Sequence, residues 1–567
     1  MGLFDTKIPV HEAFATVVFD FKNYTPTTAT TTADGVYQLA SFQTKGDAPE
    51  FSVTSIEYKE VINQLPTCVF TCFNKLSTTV ASTMSFQDLK DEHSLNLREL
   101  YGRDKFAEAK IGVKLLEYNN GSPSEKNFYL QGFVSTPTTQ LTPNGIQQTY
   151  TLIHKDLLFG EFDTRIYEFN NRELYGSHWE SLCGDMPNFT GTNLFGAGGV
   201  LHSFIKKLVD LNFEEVTSQA DAILNIEGNN SARDHILLQG NKNKTYFTDY
   251  IEPFLTSQVN VERTNILIDY LESNDLDYIE QIAFKANILS LFQQSGNFYD
   301  FLINICNYFN LEYIATFVTK ADEEQIPSRV QTCKPIRGEE KVLDEKLTYF
   351  TYDMDYSKNL VPISSVVLEG NLTPTYYPYA GMTSYNAINY QETHIVGRFP
   401  LIKSMDLIRP KYGRVLRVKA PAWLITCDDK SEVIRDPIIL VPSGEGQSTR
   451  NPEEILKIKK EEGQARIATV LKKEQTVLDT FAKALYEINC IRDFRAHIGT
   501  PLVLDYSLGN IYDVKAKGEK GEEMTLFKGY SVSRSFNFLS QNNNINVSMS
   551  VEFTHTRVDD WMPYPLK

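Results

Sequence analysis

Between Phe51 and Leu158, apolar residues recur in windows of strand length. Phe51-Ser-Val-Thr-Ser-Ile-Glu-Tyr, Thr67-Cys-Val-Phe-Thr-Cys-Phe, Ala109-Lys-Ile-Gly-Val-Lys-Leu-Leu, Asn127-Phe-Tyr-Leu-Gln-Gly-Phe-Val and Gln148-Thr-Tyr-Thr-Leu-Ile-His alternate or cluster their apolar positions. Polar, Gly- or Pro-bearing turns separate them, which predicts a meander of strands over 51–170 that closes into a barrel. Residues 1–50 read as a leader. Ala15-Thr-Val-Val-Phe-Asp-Phe predicts a strand, Thr25-Pro-Thr-Thr-Ala-Thr-Thr-Thr-Ala-Asp-Gly a polar connector, and such a leader adds a strand to a neighbour.

The period then changes. Leu201, Phe204, Ile205, Leu208 and Leu211 share a helix face, as do Phe298, Phe301, Leu302, Ile305 and Phe309 from about Asn297 onward. Residues 171–310 therefore predict a helical insertion between two β units. The second unit, 311–450, opens with Leu311-Glu-Tyr-Ile-Ala-Thr-Phe-Val, continues through Leu347-Thr-Tyr-Phe-Thr-Tyr and Ile363-Ser-Ser-Val-Val-Leu-Glu-Gly, and makes a loop-rich excursion with tyrosines from Tyr376 to Tyr390.

Asn451-Pro-Glu-Glu supplies an N-cap, a first-position proline and acids for the positive helix end. It opens a long helix over 451–495. Leu471, Leu478, Phe481, Leu485 and Ile488 form its narrow seam, which packs within its own domain or against a sister copy. Residues 496–567 return to strands at Pro501-Leu-Val-Leu-Asp, Ile511-Tyr-Asp-Val-Lys, Met524-Thr-Leu-Phe-Lys-Gly-Tyr-Ser-Val and Ile545-Asn-Val-Ser-Met-Ser-Val-Glu-Phe. These are expected to close the second β unit. The fold class predicted is α+β, mainly β, with two barrel-like β domains, a helical insertion and a long helix in the second half.

Composition narrows the function. The 567 residues exceed what one core accommodates. With 42% hydrophobic and 22% charged residues, the chain is that of a folded protein. The formal net charge of −17 argues against gripping nucleic acid through its phosphates. It is compatible with a conduit through which DNA slides, or simply with solubility through self-repulsion. Seven scattered cysteines with no CxxC pair suggest a reducing compartment, with Cys68 and Cys72 as apolar filling on one strand face. Neither a signal peptide nor an apolar run of membrane-spanning length is found. Met1-Gly2-Leu3-Phe4-Asp5-Thr6 fits the loose myristoylation pattern by coincidence, without a basic patch beside it.

Candidate chemistry is sparse. None of His11, His93, His154, His178, His202, His235, His394, His497 and His555 stands in a metal-ligand spacing; His11-Glu12 opens like a zincin motif but meets Ala15 where the second ligand belongs. There is no GxSxG elbow. Gly196-Ala-Gly-Gly before a helix, and Gly444-Glu-Gly-Gln-Ser-Thr, lack the lysine and context of a phosphate loop. Asp353/Asp355 and Asp275/Asp277 are acidic pairs of the kind glycoside hydrolysis uses across a cleft, a common chance occurrence among 72 acids. The chain is expected to be no enzyme, with no catalytic, cofactor-binding or metal residues and no cofactor.

The order of parts resembles the central baseplate hub family of contractile phage tails and related injection machines, including the base of the type VI secretion spike. The resemblance is carried by Phe51 to Asn63, Gly112-Val-Lys-Leu-Leu-Glu-Tyr, Phe128-Tyr-Leu-Gln-Gly-Phe-Val-Ser, Tyr150-Thr-Leu-Ile-His-Lys-Asp-Leu-Leu and Phe298 through Leu311. The step Ile498-Gly-Thr-Pro-Leu-Val-Leu-Asp-Tyr-Ser-Leu-Gly has Ile where the family has a small residue, and the run from Gly529 to Phe553-Thr-His-Thr-Arg closes the match.

The Thr-rich leader and the Lys/Glu-rich helix are departures from it. The resemblance implies two tube-protein-like barrels and a homotrimer that adapts a sixfold tail tube to a threefold central spike. Its implied partners are the tail tube or tube-initiator protein, the spike protein, the tape-measure protein and baseplate wedge proteins. DNA would pass through the lumen without specific binding and there would be no membrane insertion. The implied location is the virion's tail baseplate, after assembly in the bacterial host cytoplasm. With the last strand ending near Lys567, a spike or enzyme is expected to be a separate chain. The rival readings are a receptor- or glycan-binding tail protein and a cell-wall hydrolase.

Overall fold

In the computed structural model, the structure describes residues 11–20, 38–43, 51–75, 108–119, 122–135, 137–143, 145–164, 193–210, 242–258, 288, 292, 295–309, 311–319, 326–337, 342–347, 351–355, 363–371, 400–406, 414–419, 495–500, 506–517, 523–541, 544–554 and 556. The chain divides into two compact units. One comprises 1–157, 312–358 and 491–564; the other comprises 158–311, 359–490 and 565–567.

The first unit opens with eight strands: β1 (His11–Asp20), β2 (Gln38–Gln43), β3 (Phe51–Val61), β4 (Thr67–Lys75), β5 (Glu108–Asn119), β6 (Ser122–Val134), β7 (Thr138–Thr142) and β8 (Gly145–Ile153). The alternation read from the sequence is the reason they form. Ile56, Tyr58 and Glu60 of β3 are buried while Glu57 and Lys59 between them are exposed, a period of two that places one face of the strand on the core. The leader strand β1 pairs antiparallel with β5 from His11↔Glu117 to Asp20↔Glu108. Asn63 turns β3 into β4 with a φ of 63°, a conformation asparagine tolerates.

In the second unit, a helix over 200–210, here α1, buries Leu201, Phe204, Ile205 and Leu208 on the predicted face. A π-helical turn, Phe247–Ile251, leads into α2 (Glu252–Ser257). The helix α3 (Phe298–Tyr308) starts at Asn297, whose side chain accepts from the Asp300 backbone N–H at 2.9 Å. Phe298, Phe301, Leu302 and Ile305 are buried, and Phe301 meets Phe292 edge-on at 5.0 Å.

The chain continues with β9 (Leu311–Ile314), β10 (Val318–Thr319), β11 (Arg329–Thr332), a single turn α4 (Lys334–Arg337), β12 (Val342–Leu347) and β13 (Thr351–Asp355). A separate three-stranded sheet in the second unit, β14 (Ile363–Asn371), β15 (Pro400–Asp406) and β16 (Arg414–Lys419), has order β15-β14-β16. The first unit closes with β17 (Arg495–Thr500), β18 (Ile511–Lys517), β19 (Glu523–Gln541) and β20 (Asn544–Thr554). The predicted helix over 451–495, the tyrosine-rich stretch 376–390 and the predicted strand 501–505 lie outside the described residues. A strand begins already at Arg495.

The architecture is mainly β, as expected, but the strands of the first unit join where two barrels were predicted. They form one 15-stranded sheet with the path β13-β17-β20-β19-β3-β4-β8-β6-β5-β1-β2, which is not hydrogen-bonded into a closed ring among the described residues. The joint is β19, 19 residues long. Its first half pairs with β18, its second half pairs with β3 on that same edge, and β20 lines the other edge. The register shift between Ser531 and Ser533 marks a bulge where the partner changes, the place at which a strand bends and twists more strongly.

The sheet curls around a shared core. Phe128 of β6 lies 4.9 Å from Phe536 of β19, although β3, β4 and β8 separate these strands along the path. The far end of the path returns beside β3. Phe70, Tyr150, Phe128, Phe536, Met549 and Phe553 belong to one buried cluster.

Candidate functional site

Two charged side chains interrupt the apolar alternation at the joint, and register brings them together. On β3 the buried positions run Ile56, Tyr58, Glu60; on β19 they run Arg534, Phe536, Phe538; and Arg534 pairs directly with Glu60. The Arg534 Nη2 to Glu60 Oε1 distance is 2.5 Å, with the residues 4% and 1% exposed. Tyr58 donates its hydroxyl to Glu60 Oε2 and lies 3.1 Å from Thr316 Oγ1. Arg534 donates Nη1 to the Tyr506 carbonyl, and its guanidinium carbon sits 6.0 Å from the Tyr58 ring centre. Burial, the largest single influence, pulls the Arg534 pKa down, but Glu60 and Tyr58 together outweigh it and hold the guanidinium above its ordinary value. Burial first, then the Glu60 charge, push the Tyr58 phenol well up.

A second polar set braces the bulge. Tyr530 donates to Glu312, and Gln331 Nε2 donates to the Gly509 carbonyl at 3.0 Å and to Tyr530 Oη at 3.1 Å. Arg329 Nη2 donates to the Leu508 carbonyl at 2.7 Å. Gly509 needs its glycine: its φ is +71° and a Cβ would collide with Ile314 Cδ1 at 2.5 Å. A third set ties β9 to the first strands. Asn63 Oδ1 accepts from the Tyr313 N–H at 2.7 Å, and Tyr313 donates to Asp156 Oδ2 at 2.6 Å. His154 Nδ1 accepts from the Asp156 N–H at 3.2 Å.

These groups are buried or half-buried and engaged with one another, and so hold register. Buried pairs of this kind favour one pairing over slipped alternatives, because a one-residue slip would leave both charges unpaired. Sequence reasoning did not single out Glu60, Arg534 or Tyr530. The available signal was an opposite charge on each strand at a position where the alternation calls for an apolar residue.

The residues that the sequence did single out are dispersed. His11 faces Glu117 across the β1/β5 pair. The Gly196–Gly199 loop spends its amides internally: Gly198 N–H donates to His202 Nδ1 at 3.2 Å, Gly196 N–H to the Leu255 carbonyl at 3.0 Å and Gly199 N–H to the Gly196 carbonyl at 3.0 Å. His202 Nε2 lies 2.9 Å from Glu252 Oε1. Asp353 and Asp355 of β13 pair in register with His497 and Arg495 of β17. Asp275, Asp277, Gly444 and the stretch 376–390 lie outside the described residues. Cys68 and Cys72 are buried, free thiols, and burial pushes both well up. Among the described residues no cluster of three His, Cys, Asp or Glu is arranged to hold a metal ion. No described helix is long and apolar enough to cross a membrane.

No protein-family model and no curated protein matches the chain. Two solved tail proteins align along most of its length. The 43 kDa tail protein of prophage MuSo2 from Shewanella oneidensis is 7% identical over 96% of this chain and 98% of its own, with a TM-score of 0.35. A tail protein from Neisseria meningitidis MC58 is 7% identical over 95% of this chain and 96% of its own, with a TM-score of 0.35. Similarity this loose decides neither fold nor role.

Proposed function

We propose that the chain is a structural tail protein: a homotrimeric hub that seats on the end of a sixfold tail tube, carries a threefold central spike and surrounds the channel. The order of strands, helical insertion and closing strands resembles that family. The observation that carries the reading is the strand β19, which binds the first and last β blocks into one curled sheet stiffened by enclosed polar contacts. In a trimer, the first and last β blocks of each copy would together present six faces to a tube and a threefold face to a spike. A net charge of −17 suits a channel wall that does not hold DNA.

Light scattering on the purified protein, alone and with its tube and spike proteins, tests this. A trimer, or a monomer that trimerises when spike is added, is expected. Duplex DNA should show no binding at physiological salt. A stable dimer over a wide concentration range, or sub-micromolar DNA binding with a steep salt slope, would overturn the hub assignment.

A further inference from the structure

The outward face of the β13, β17 and β20 edge carries a juxtaposition that the hub role does not use. Ala496 and Ile498 of β17 and Met549 and Val551 of β20 are buried, so the alternation turns His497 and Ser550 to the opposite, outer side. His497 is exposed, and Ser550 Oγ is hydrogen-bonded to His497 Nε2 diagonally across the strand pair. The positions level with Ser550 are Gly499 on one side and Ser535 on the other, both small, and Ser550 itself is half-buried. Register sets Glu552 level with His497 on β20 and Asp353 level with it on β13. The Glu552 carboxylate is held by Arg495 at 3.2 Å.

We propose that Ser550 and His497 form a nucleophile–base pair that makes Ser550 a reactive serine toward small, activated carboxylic esters. Hydrogen-bond contact between hydroxyl and imidazole is the geometric requirement for that chemistry, and it recurs on unrelated folds. Ser550 Oγ bonds to the acyl carbon as its proton passes to His497 Nε2. The carbon–oxygen bond to the leaving group then breaks, and the leaving alkoxide takes that proton as the free alcohol. Water attacks the acyl-serine with the same imidazole as base, releasing the carboxylic acid and restoring both residues. The small residues level with a half-buried Ser550 suit small, unhindered esters.

The test treats the full chain with a fluorophosphonate probe, whose phosphorus bonds to Ser550 Oγ as fluoride leaves and the hydroxyl proton passes to His497, and maps the adduct by peptide mass spectrometry, with p-nitrophenyl acetate hydrolysis followed in parallel. One adduct, on Ser550, is expected. It should vanish in Ser550→Ala and slow by about a hundredfold or more in His497→Gln. Gln can still accept the Ser550 hydrogen bond, so that variant should keep the wild-type thermal midpoint while losing the labelling rate. The proposal is overturned if labelling is no faster than for the unfolded chain, survives Ser550→Ala, or proceeds at the wild-type rate in His497→Gln, which would leave a structural hydrogen bond only.

Discussion

Replacing Arg534 with Met tests whether the joint between the two β blocks depends on its buried charges. Met fills much of the same volume but leaves Glu60, 1% exposed, with only the Tyr58 hydroxyl as a donor from that set, and takes a donor from the Tyr506 carbonyl. Removing one partner of a buried ion pair costs about 3–5 kcal/mol, since the remaining charge stays desolvated. Glu60→Leu alone should cost a similar amount by stranding the guanidinium. The double variant removes both charges and should recover at least about 2 kcal/mol of the summed losses. Denaturant-dependent hydrogen exchange, read on peptides covering β3 and β19, confines the measurement to the first unit. Additive single effects, or single variants within about 0.5 kcal/mol of wild type, would show that the pair contributes nothing to the joint.

Three individual positions carry further outcomes. Burial holds the His154 imidazole below its ordinary value near 6.5, against a smaller opposing pull from Asp156. The unfolded chain therefore takes up a proton before the folded one, and stability should fall as pH drops from about 6.5 toward the depressed folded value. His154→Gln should flatten that slope in denaturation curves taken between about pH 7 and 5. Gly529→Ala would put a Cβ 2.8 Å from Phe553 Cβ and 2.9 Å from Phe527 Cε2. Overpacking of that kind should cost about 1–3 kcal/mol and lower the thermal midpoint. Gly160→Ala, with nothing within 4 Å of the added carbon, should leave it unchanged.

Local pattern made most described strands and the α1 and α3 faces legible, because a period of two or of 3.6 is written in consecutive residues. Asn297 was equally readable as the place where α3 begins. The length of β19 was not. Its apolar run stops at Val532, and Ser533-Arg534-Ser535 looks like an ending until Glu60 is seen opposite Arg534. That β3 would take β19 as a partner has no local signature, for the pairing spans most of the chain. The meeting of Ser550 with His497 is likewise a property of register: nothing within either strand announces the other. Asp353 and Asp355 were noticed as a pair, yet their meaning lies in what sits across from them on β17.

The β3–β19 pairing has a consequence for synthesis on the ribosome. Ser533, which pairs with Val61, is made about 470 residues later. At elongation rates of roughly 5–20 residues per second, β3 waits some 25 to 95 seconds with one edge unsatisfied while the intervening chain emerges. A free edge of eleven residues that alternates Ile and Tyr with charged positions is a template for wrong partners during that interval. Glu57, Lys59 and Glu60, spaced along it, act as gatekeepers against a neighbouring nascent chain until β19 arrives with the complementary arginine.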